Sequence, residues 1–495
     1  MRLQRRGKST GGGRKRARTG YRGFITVYLA LVTGILLSLF VTLLEASRRD
    51  LIRMQIECVT DMALQSALAQ YHRQMLEQYD LFFIDTSYGT PDPSFHRTEE
   101  KITGYLTENF TLAERFGIAG AADLTGLSVE DVQLLTAGVA TDEDCSVLKY
   151  HAVQYMKDRY GISAAEAFLK PADALAGSGY TGDRMEAEWD RAEEQLKEEI
   201  LSAGRLQDAE WNGSIPETPA DAVRPARSEG ILSSVIKGNR ISTASIVKAQ
   251  MPSDRVCNTG TGLAAGKQAA DSLVDRGLFC GYILEKCGFY GAEKSDSALA
   301  YQVEYILQGH ERDQDNLRDT ARELLWIREA ANVAFLFSGS FRQPAADTAL
   351  LITGLLGVPE LAELMTDVIL FAWAYAESVK DVRILLAGGK VPLFKMEDNW
   401  NTPYAELLTY RAHLDKWNNC EEGMTYREYL GALLFLCDDS TTAWRLADMM
   451  ECDLKLTPGN SDFRIDGMID GMSAQIDVIS SYGGSWQITR EYGFE

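Results

Sequence analysis

Phe24-Ile-Thr-Val-Tyr-Leu-Ala-Leu-Val-Thr-Gly-Ile-Leu-Leu-Ser-Leu-Phe-Val-Thr-Leu-Leu44 decides how the rest of this chain is read. These 21 residues carry no charge, and Glu45 is the first acid in the sequence. As a helix the run rises about 31 Å, enough to cross a bilayer core of about 30 Å. Before it, Met1–Arg22 holds nine Lys or Arg and no acid. Basic residues beside a span resist translocation, so the leader is expected in the cytoplasm and everything after Leu44 outside the membrane. A cleaved secretory signal needs a shorter apolar core, of roughly 7–15 residues, and a small-x-small site. Only Ala46 is small among Leu43–Ala46. A retained single-pass anchor is therefore expected, with the lipid bilayer as its first partner.

The helical signal does not stop at Leu44. Residues 45–78 contain neither Gly nor Pro, and Ile52, Ile56, Val59, Ala63 and Ser66 recur at spacings of three and four. That is the period of one helix face. The spacing predicts a stalk-like helix over residues 45–80. Within the span, Gly34 and Ser38 lie four apart on one face. Small residues so placed let neighbouring membrane helices approach closely.

Nine of the 50 basic residues lie in the leader, which leaves 41 Lys and Arg against 71 Asp and Glu. So acidic an exterior argues against nucleic acid as a partner, since that surface needs clustered Lys and Arg. It suits solubility. Eight Cys occur without any Cys-x-x-Cys, so zinc-ribbon and thioredoxin readings have no support. Disulfides are permitted outside the membrane. Cys280 and Cys287, seven apart on one expected helix, would sit about 10.5 Å apart along its axis, too far to bridge. Buried free thiols are the expectation there.

The fold class expected is α+β, mainly helical, with a helix-rich ectodomain and a small antiparallel sheet. Residues 81–212 read as a mixed α/β part, with a strand at Leu127–Thr136 and helices at Ser94–Phe116, Cys145–Tyr160 and Asp183–Gly204. Pro216, Pro219 and Pro225 mark residues 213–230 as a linker or inserted loop. Residues 231–460 read as helices, among them Ala264–Lys286, Ser297–Gln308, Asp315–Phe337 and Pro359–Leu386. The apolar runs Leu350–Val358 and Val368–Ala376 are separated by Pro359, Glu360, Glu363 and Asp367, so they read as buried bundle helices rather than spans. Residues 461–495 alternate at Ile476, Val478, Trp486 and Ile488 around Gly483-Gly484, the pattern of a terminal hairpin. This hairpin is expected to pair with the strand near Val132.

No motif for a chemical activity is complete, and no catalytic residue, cofactor or metal is assigned. Cys257–Lys267 resembles a phosphate loop, but Thr261 stands where its first Gly belongs and Gln268 where Ser or Thr must follow the Lys. Asp462–Gly467 hints at a calcium loop, yet Arg464 and Ser473 fill the third and twelfth positions. His72, His96, His151, His310 and His413 are scattered, with no His-Glu-x-x-His and no Gly-x-Ser-x-Gly elbow. One polar group is singled out. Leu317, Ala321, Leu324 and Leu325 form an apolar stripe that continues to Arg328 and Asn332. A buried Arg needs a carboxylate to offset its desolvation, and Glu377 on the following apolar helix is the candidate partner. The alternative places Arg328 at the edge with its head in water.

The junction Arg22-Gly23-Phe24-Ile-Thr-Val-Tyr-Leu-Ala-Leu31 resembles the N-terminus of TadE/TadG-like pseudopilins of the tight-adherence (Tad) pilus system. Those have a basic leader, a Gly after which prepilin peptidase cuts, and an apolar helix with Glu at its fifth position. Gly23 and Phe24 match the cut site, while Tyr28 stands in place of that Glu. The whole chain is similar to an uncharacterised family of membrane-anchored proteins of Gram-positive bacteria. The phrases that carry this are Gly23–Leu44 with Glu45-Ala46, His151–Lys157, Tyr301–Gly309, Trp326–Asn332 and Trp373–Ser378. The family resemblance implies an envelope location and no established activity. The Gly23-Phe24 junction, the long helix leaving the membrane and the incomplete motifs together point to a structural or accessory component of a Tad-type pilus or secretion system, with other subunits met through the N-terminal helix. An anchored envelope hydrolase and an adhesin or ligand-sensing ectodomain are the alternatives.

Overall fold

The computed structural model describes residues 21–110, 125–177, 184–206, 218–228, 230–236, 238, 241–264, 267–339, 341–418 and 420–494. In chain order the helices of the first half are α1 (Tyr21–Leu68), α2 (Arg73–Tyr79), α3 (Phe95–Phe110), α4 (Asp142–Tyr160), α5 (Glu166–Gly177), α6 (Arg184–Leu206), α7 (Pro219–Ser228) and α8 (Ile231–Val235). Those of the second half are α9 (Leu273–Lys286), α10 (Gln302–Gln308), α11 (Asp313–Ser338), α12 (Arg342–Leu355), α13 (Ala362–Leu386), α14 (Tyr426–Leu436) and α15 (Asp439–Leu456). The strands are β1 (Ile84–Asp85), β2 (Leu127–Val139), β3 (Lys390–Val391), β4 (Met424–Thr425), β5 (Met468–Ser480) and β6 (Ser485–Gly493). The protein is thus α+β and mainly helical. The chain divides into two compact units, and β2 and β5 each run through both.

The first unit takes its described residues from 21–67, 99–110, 125–133 and 474–490. Its helix α1 runs unbroken for 48 residues, about 72 Å at 1.5 Å per residue. From Phe24 to Leu44 the large apolar side chains are exposed on all sides. Thr33 and Thr42 turn their hydroxyls back onto the carbonyls of Leu29 and Leu39, which satisfies these two donors within the helix. Beyond Leu51 the helix becomes one-sided, and Ile52, Ile56, Val59, Ala63 and Leu64 are buried. Ala67 of α1, Ile102 and Leu106 of α3, Leu127 and Val132 of β2, and Ala474, Ile476 and Val478 of β5 are buried in this unit as well. Arg490 pairs with Asp61 at 3.4 Å, and Arg48 lies 4.0 Å over the Tyr482 ring. The expected hairpin is present: Gly483 and Gly484 have φ of +96° and +112°, a backbone that suits residues without Cβ. Gly483 N donates to Ser480 O and Ser480 N to Gly484 O, at 2.9 and 3.1 Å. The expected pairing of this hairpin with the earlier strand is also present, because β5 lies beside β2 in the sheet order β1-β5-β2, with β6 on β5.

The second unit holds residues 68–98, 134–473 and 491–494 among those described. The stalk-like helix expected to reach residue 80 stops at Leu68. A turn follows, Tyr71 bridges to Ile84, and His72 N donates to Phe83 O at 2.8 Å. His72 then caps α2, its Nδ1 accepting from Met75 N at 3.1 Å. Absence of Gly and Pro permits a helix but does not enforce one, and tertiary partners for the backbone decided the break. Residues 213–230 likewise differ from the expected linker. Pro219 opens α7, where a missing N–H costs nothing, and Ala220, Val223 and Ala226 are buried. The stretch 213–217 lies outside the described residues.

α13 is the axis of this unit. It is buried on nearly every side and packs against α11, α12, α7 and α6. Trp373 anchors it, with Nε1 donating to Thr402 O at 2.7 Å and its ring 5.8 Å from Trp400 and 5.7 Å from Phe341. The helix expected at Ala264–Lys286 starts only at Leu273. There Ser272 and Asp275 form a capping box that satisfies two otherwise orphaned amides. Thr425 and Glu428 do the same for α14. Ser272→Ala or Thr425→Ala should each lower stability by about 1 kcal/mol, read from chemical unfolding followed by circular dichroism.

Candidate functional site

Three places bear on function: the anchor, a buried ionic core, and a glycine-rich loop. In the anchor, Gly23 lies within the first turns of α1. Phe24 is 71 % exposed. Residues 1–20 of the basic leader lie outside the described residues. Gly34 and Ser38 sit on the exposed helix, and apart from the helix's own adjoining backbone no described atom lies within 4 Å of where a Gly34 Cβ would be. Among the described residues, no other segment therefore approaches Gly34. α1 is the one helix among the described residues that is long and apolar enough to cross a membrane.

The ionic core lies between α11 and α13. Arg328 is 0 % exposed, and so are Asn332, Glu377 and Asp381. Arg328 and Asn332 are in contact, as their spacing of four predicts, with Nη2 donating to Asn332 Oδ1 at 3.3 Å. The carboxylate that meets the guanidinium is Asp381, however, with Nε to Oδ2 at 3.1 Å. Arg328 Nη1 is taken by Leu393 O at 2.7 Å and by the Tyr429 hydroxyl at 3.2 Å. Glu377, expected in the Asp381 role, pairs instead with Lys395, and its Oε1 accepts from Asn401 N at 2.8 Å. Both carboxylates lie one turn apart on α13, and both look inward. The guanidinium meets the second, and Lys395 reaches both from the loop after β3. Two cations and two anions thus balance. Burial disfavours the ionised form of Asp381, yet Lys395 and Arg328 hold its carboxyl below the usual range. Asn332 Nδ2 donates to Ser378 Oγ and to Asp381 Oδ2, at 2.9 and 3.1 Å. So closed an arrangement holds helices in register; it presents no reacting atom to a substrate.

The loop that resembles a phosphate cradle carries its own anion. Gly260 N and Gly262 N donate to the Asp142 carboxylate at 2.7 and 3.0 Å, and Val139 N donates to it at 2.8 Å. The Gly260 and Gly262 amides are therefore committed to this chain's own carboxylate. Lys267 is committed too, to Asp470 Oδ2 at 2.8 Å and Phe494 O at 2.7 Å. His151 meets the same Asp470 oxygen at 3.0 Å. Burial would push the Asp470 carboxyl up, but His151 and Lys267 bring it below its ordinary value. Sequence reasoning missed this triad because its members are more than 100 residues apart. The hint of a calcium loop also resolves into ion pairs: Asp466 takes Arg255 at 2.6 Å and Arg464 at 2.8 Å, and Arg255 continues to Glu451. No group of three or more His, Cys, Asp or Glu arranged to hold a metal occurs among the described residues. All eight cysteines are free thiols, and burial pushes that of Cys287 up to about 12.

The Tyr301–Gly309 phrase is a hub of the same kind. Gln302 Oε1 accepts from Gly288 N at 2.9 Å, and its Nε2 donates to Asp453 at 2.7 Å. Glu304 Oε1 accepts from Tyr290 N at 2.9 Å and from the Tyr426 hydroxyl at 2.7 Å. Tyr305 donates to Asp448 at 2.8 Å. The polar side chains of α10 thus tie it to α14, to α15 and to the Gly288–Tyr290 turn.

Residues 209–480 match the model of a family of unknown function, DUF5702. The chain belongs to that family. The matched segment covers more than half of the chain and contains the ionic core, the α10 hub and the glycine-rich loop, whereas α1 lies before it. No curated protein and no solved structure matches the chain.

Proposed function

We propose that this chain is a membrane-anchored, extracytoplasmic structural or accessory component of a Tad-type pilus or secretion system, pseudopilin-like in the way it is held. One observation carries the reading: α1 is a single unbroken helix whose first half is apolar and bare all round and whose second half buries one face. In a bilayer the first half is solvated by lipid. The basic leader keeps the N-terminus cytoplasmic, and the remainder stands outside. Gly34 and Ser38 would let a neighbouring anchor approach closely, driven by packing and not by exclusion of water. The ionic core and the α10 hub support a load-bearing part better than a catalytic one, since most of their polar atoms are spent on one another.

The test is the intact mass and N-terminal sequence of the protein extracted from its native membrane, with cross-linking to its neighbours. A mature chain beginning at Phe24 and cross-linked to pilus subunits is the expected result for a processed subunit. A chain that keeps its leader and still cross-links to them is an accessory protein. Recovery in the soluble fraction with an N-terminus beyond Leu44 would overturn the anchored reading, and membrane recovery without any such neighbour would overturn the pilus assignment.

A further inference from the structure

A cleft of about 190 Å³ opens among α6, α7, α11 and α13, lined by Glu186, Arg227, Arg322, Trp326, Glu329 and Tyr375. Glu329 forms its inner wall. It is 2 % exposed, and its Oε1 has no hydrogen-bond partner among the described residues. A buried carboxyl oxygen left unpaired is costly, and such groups are normally matched. The nearby cations do not match it. Arg227 is committed to Asp190 at 2.8 Å and Glu186 at 3.3 Å, and it lies 4.1 Å over the Trp189 ring. Arg322 donates to Asp319 at 3.3 Å. Three carboxyl groups, Glu186, Asp190 and Glu329, thus surround one guanidinium, and aromatic faces complete the walls. Both features favour a further positive charge.

We propose that this cleft binds a small organic primary ammonium ion, whose N–H donors meet Glu329 Oε1 and whose alkyl part lies against Trp326 and Tyr375. Without the ligand, burial pushes the Glu329 carboxyl up to about 8; Arg227 pulls it down, while Glu186 and Asp190 push it further up. At neutral pH the carboxyl therefore keeps its proton. The bound ammonium takes that proton's place: the carboxyl O–H proton leaves to solvent and the carboxylate pairs with the cation. Arg322, Trp326, Glu329 and Tyr375 lie inside the family match, together with Arg227, whereas Glu186 and Asp190 precede it.

The full chain in detergent micelles is titrated with n-propylammonium chloride, followed by tryptophan fluorescence and by calorimetry in two buffers of different ionisation enthalpy. Saturable binding in the millimolar range is expected for so small a ligand. It should release close to one proton at pH 7 and almost none at pH 9.5, and tighten by nearly tenfold for each unit that the pH rises toward 8. Propan-1-ol, the neutral counterpart, should not compete. Glu329→Gln keeps the side-chain shape and should weaken binding at least tenfold with an unchanged or raised melting temperature. Glu186→Gln, at the exposed rim, should weaken it several-fold and serves if the first variant does not fold. Equal binding to the wild type and both variants, equal binding of the alcohol, or no saturation would overturn the proposal. None of these outcomes depends on whether α1 enters a pilus.

Discussion

Asp381→Ala should destabilise the helical unit by about 3–5 kcal/mol, the largest loss expected from any single polar substitution in it. The reason lies in what remains. Arg328 and Lys395 would stay buried with Glu377 as their sole carboxylate, and Glu377 already serves Lys395 and the Asn401 amide. Asn332 would lose one of its two acceptors. A buried pair can be replaced whole at little cost, because its desolvation offsets much of its attraction; breaking it leaves an uncompensated charge. Arg328→Leu with Asp381→Leu should therefore recover much of the stability that Asp381→Ala alone loses. Chemical unfolding of the full chain in detergent, followed by circular dichroism, reads both. A loss below about 1 kcal/mol for Asp381→Ala would show that water reaches the core and that its ions are solvated rather than paired.

The second large effect is the contribution of Glu304 to the pH dependence, which adds to that of Glu329 and which Glu304→Gln isolates. Its carboxyl is fully buried, and burial raises it from 4.5 to about 7, although the Tyr290 amide and Tyr426 hydroxyl pull the other way. In the unfolded chain the proton leaves near pH 4.5; in the folded chain it stays until about 7. Between those values the folded state holds a proton that the unfolded state has lost, so stability falls as pH rises. The full penalty, reached above pH 7, is about 3 kcal/mol. Glu304→Gln keeps an acceptor for Tyr290 and Tyr426 and loses the titration. The variant should match the wild type near pH 4 and exceed it by about 3 kcal/mol at pH 8. Asp381 and Asp470 act with the opposite sign: their lowered values mean stability lost as pH falls. Unfolding at pH 4, 6 and 8 separates the two contributions, and a variant no more stable than the wild type at pH 8 would mean that Glu304 is solvated.

Much of the fold was legible in the residue pattern, and the failures share a cause. The helices α11, α13 and α14 follow from apolar spacing, and the β5–β6 hairpin from alternation around two glycines. Arg328 and Asn332 were legible as an inward pair because a separation of four on one helix puts two residues on one face. Their carboxylate was not. Glu377 and Asp381 are one turn apart on the same buried helix, so periodicity alone turns both inward; the register of α11 against α13 brings Asp381 to the guanidinium. Lys395, which joins the two acids, comes from a loop after a two-residue strand that carries no periodic signal.

The glycine-rich loop teaches the same lesson in reverse. Its composition invites a phosphate, and only the fold reveals that Asp142, 118 residues away from Gly260, already occupies the amides. Trp326, Arg328, Glu329 and Asn332 stand close together in sequence, yet two of them face the ionic core and two a cleft, a division set by what packs on each side of α11. Residue order determined the apolar span, the helical character of the outer part and the hairpin, because helix and strand periods and charge runs are local properties of a chain. Tertiary structure decided where α1 ends, that residues 219–228 are helical, which acid meets which base and which carboxyl remains unpaired, because each depends on contacts between segments far apart in the chain and on the burial that those contacts create.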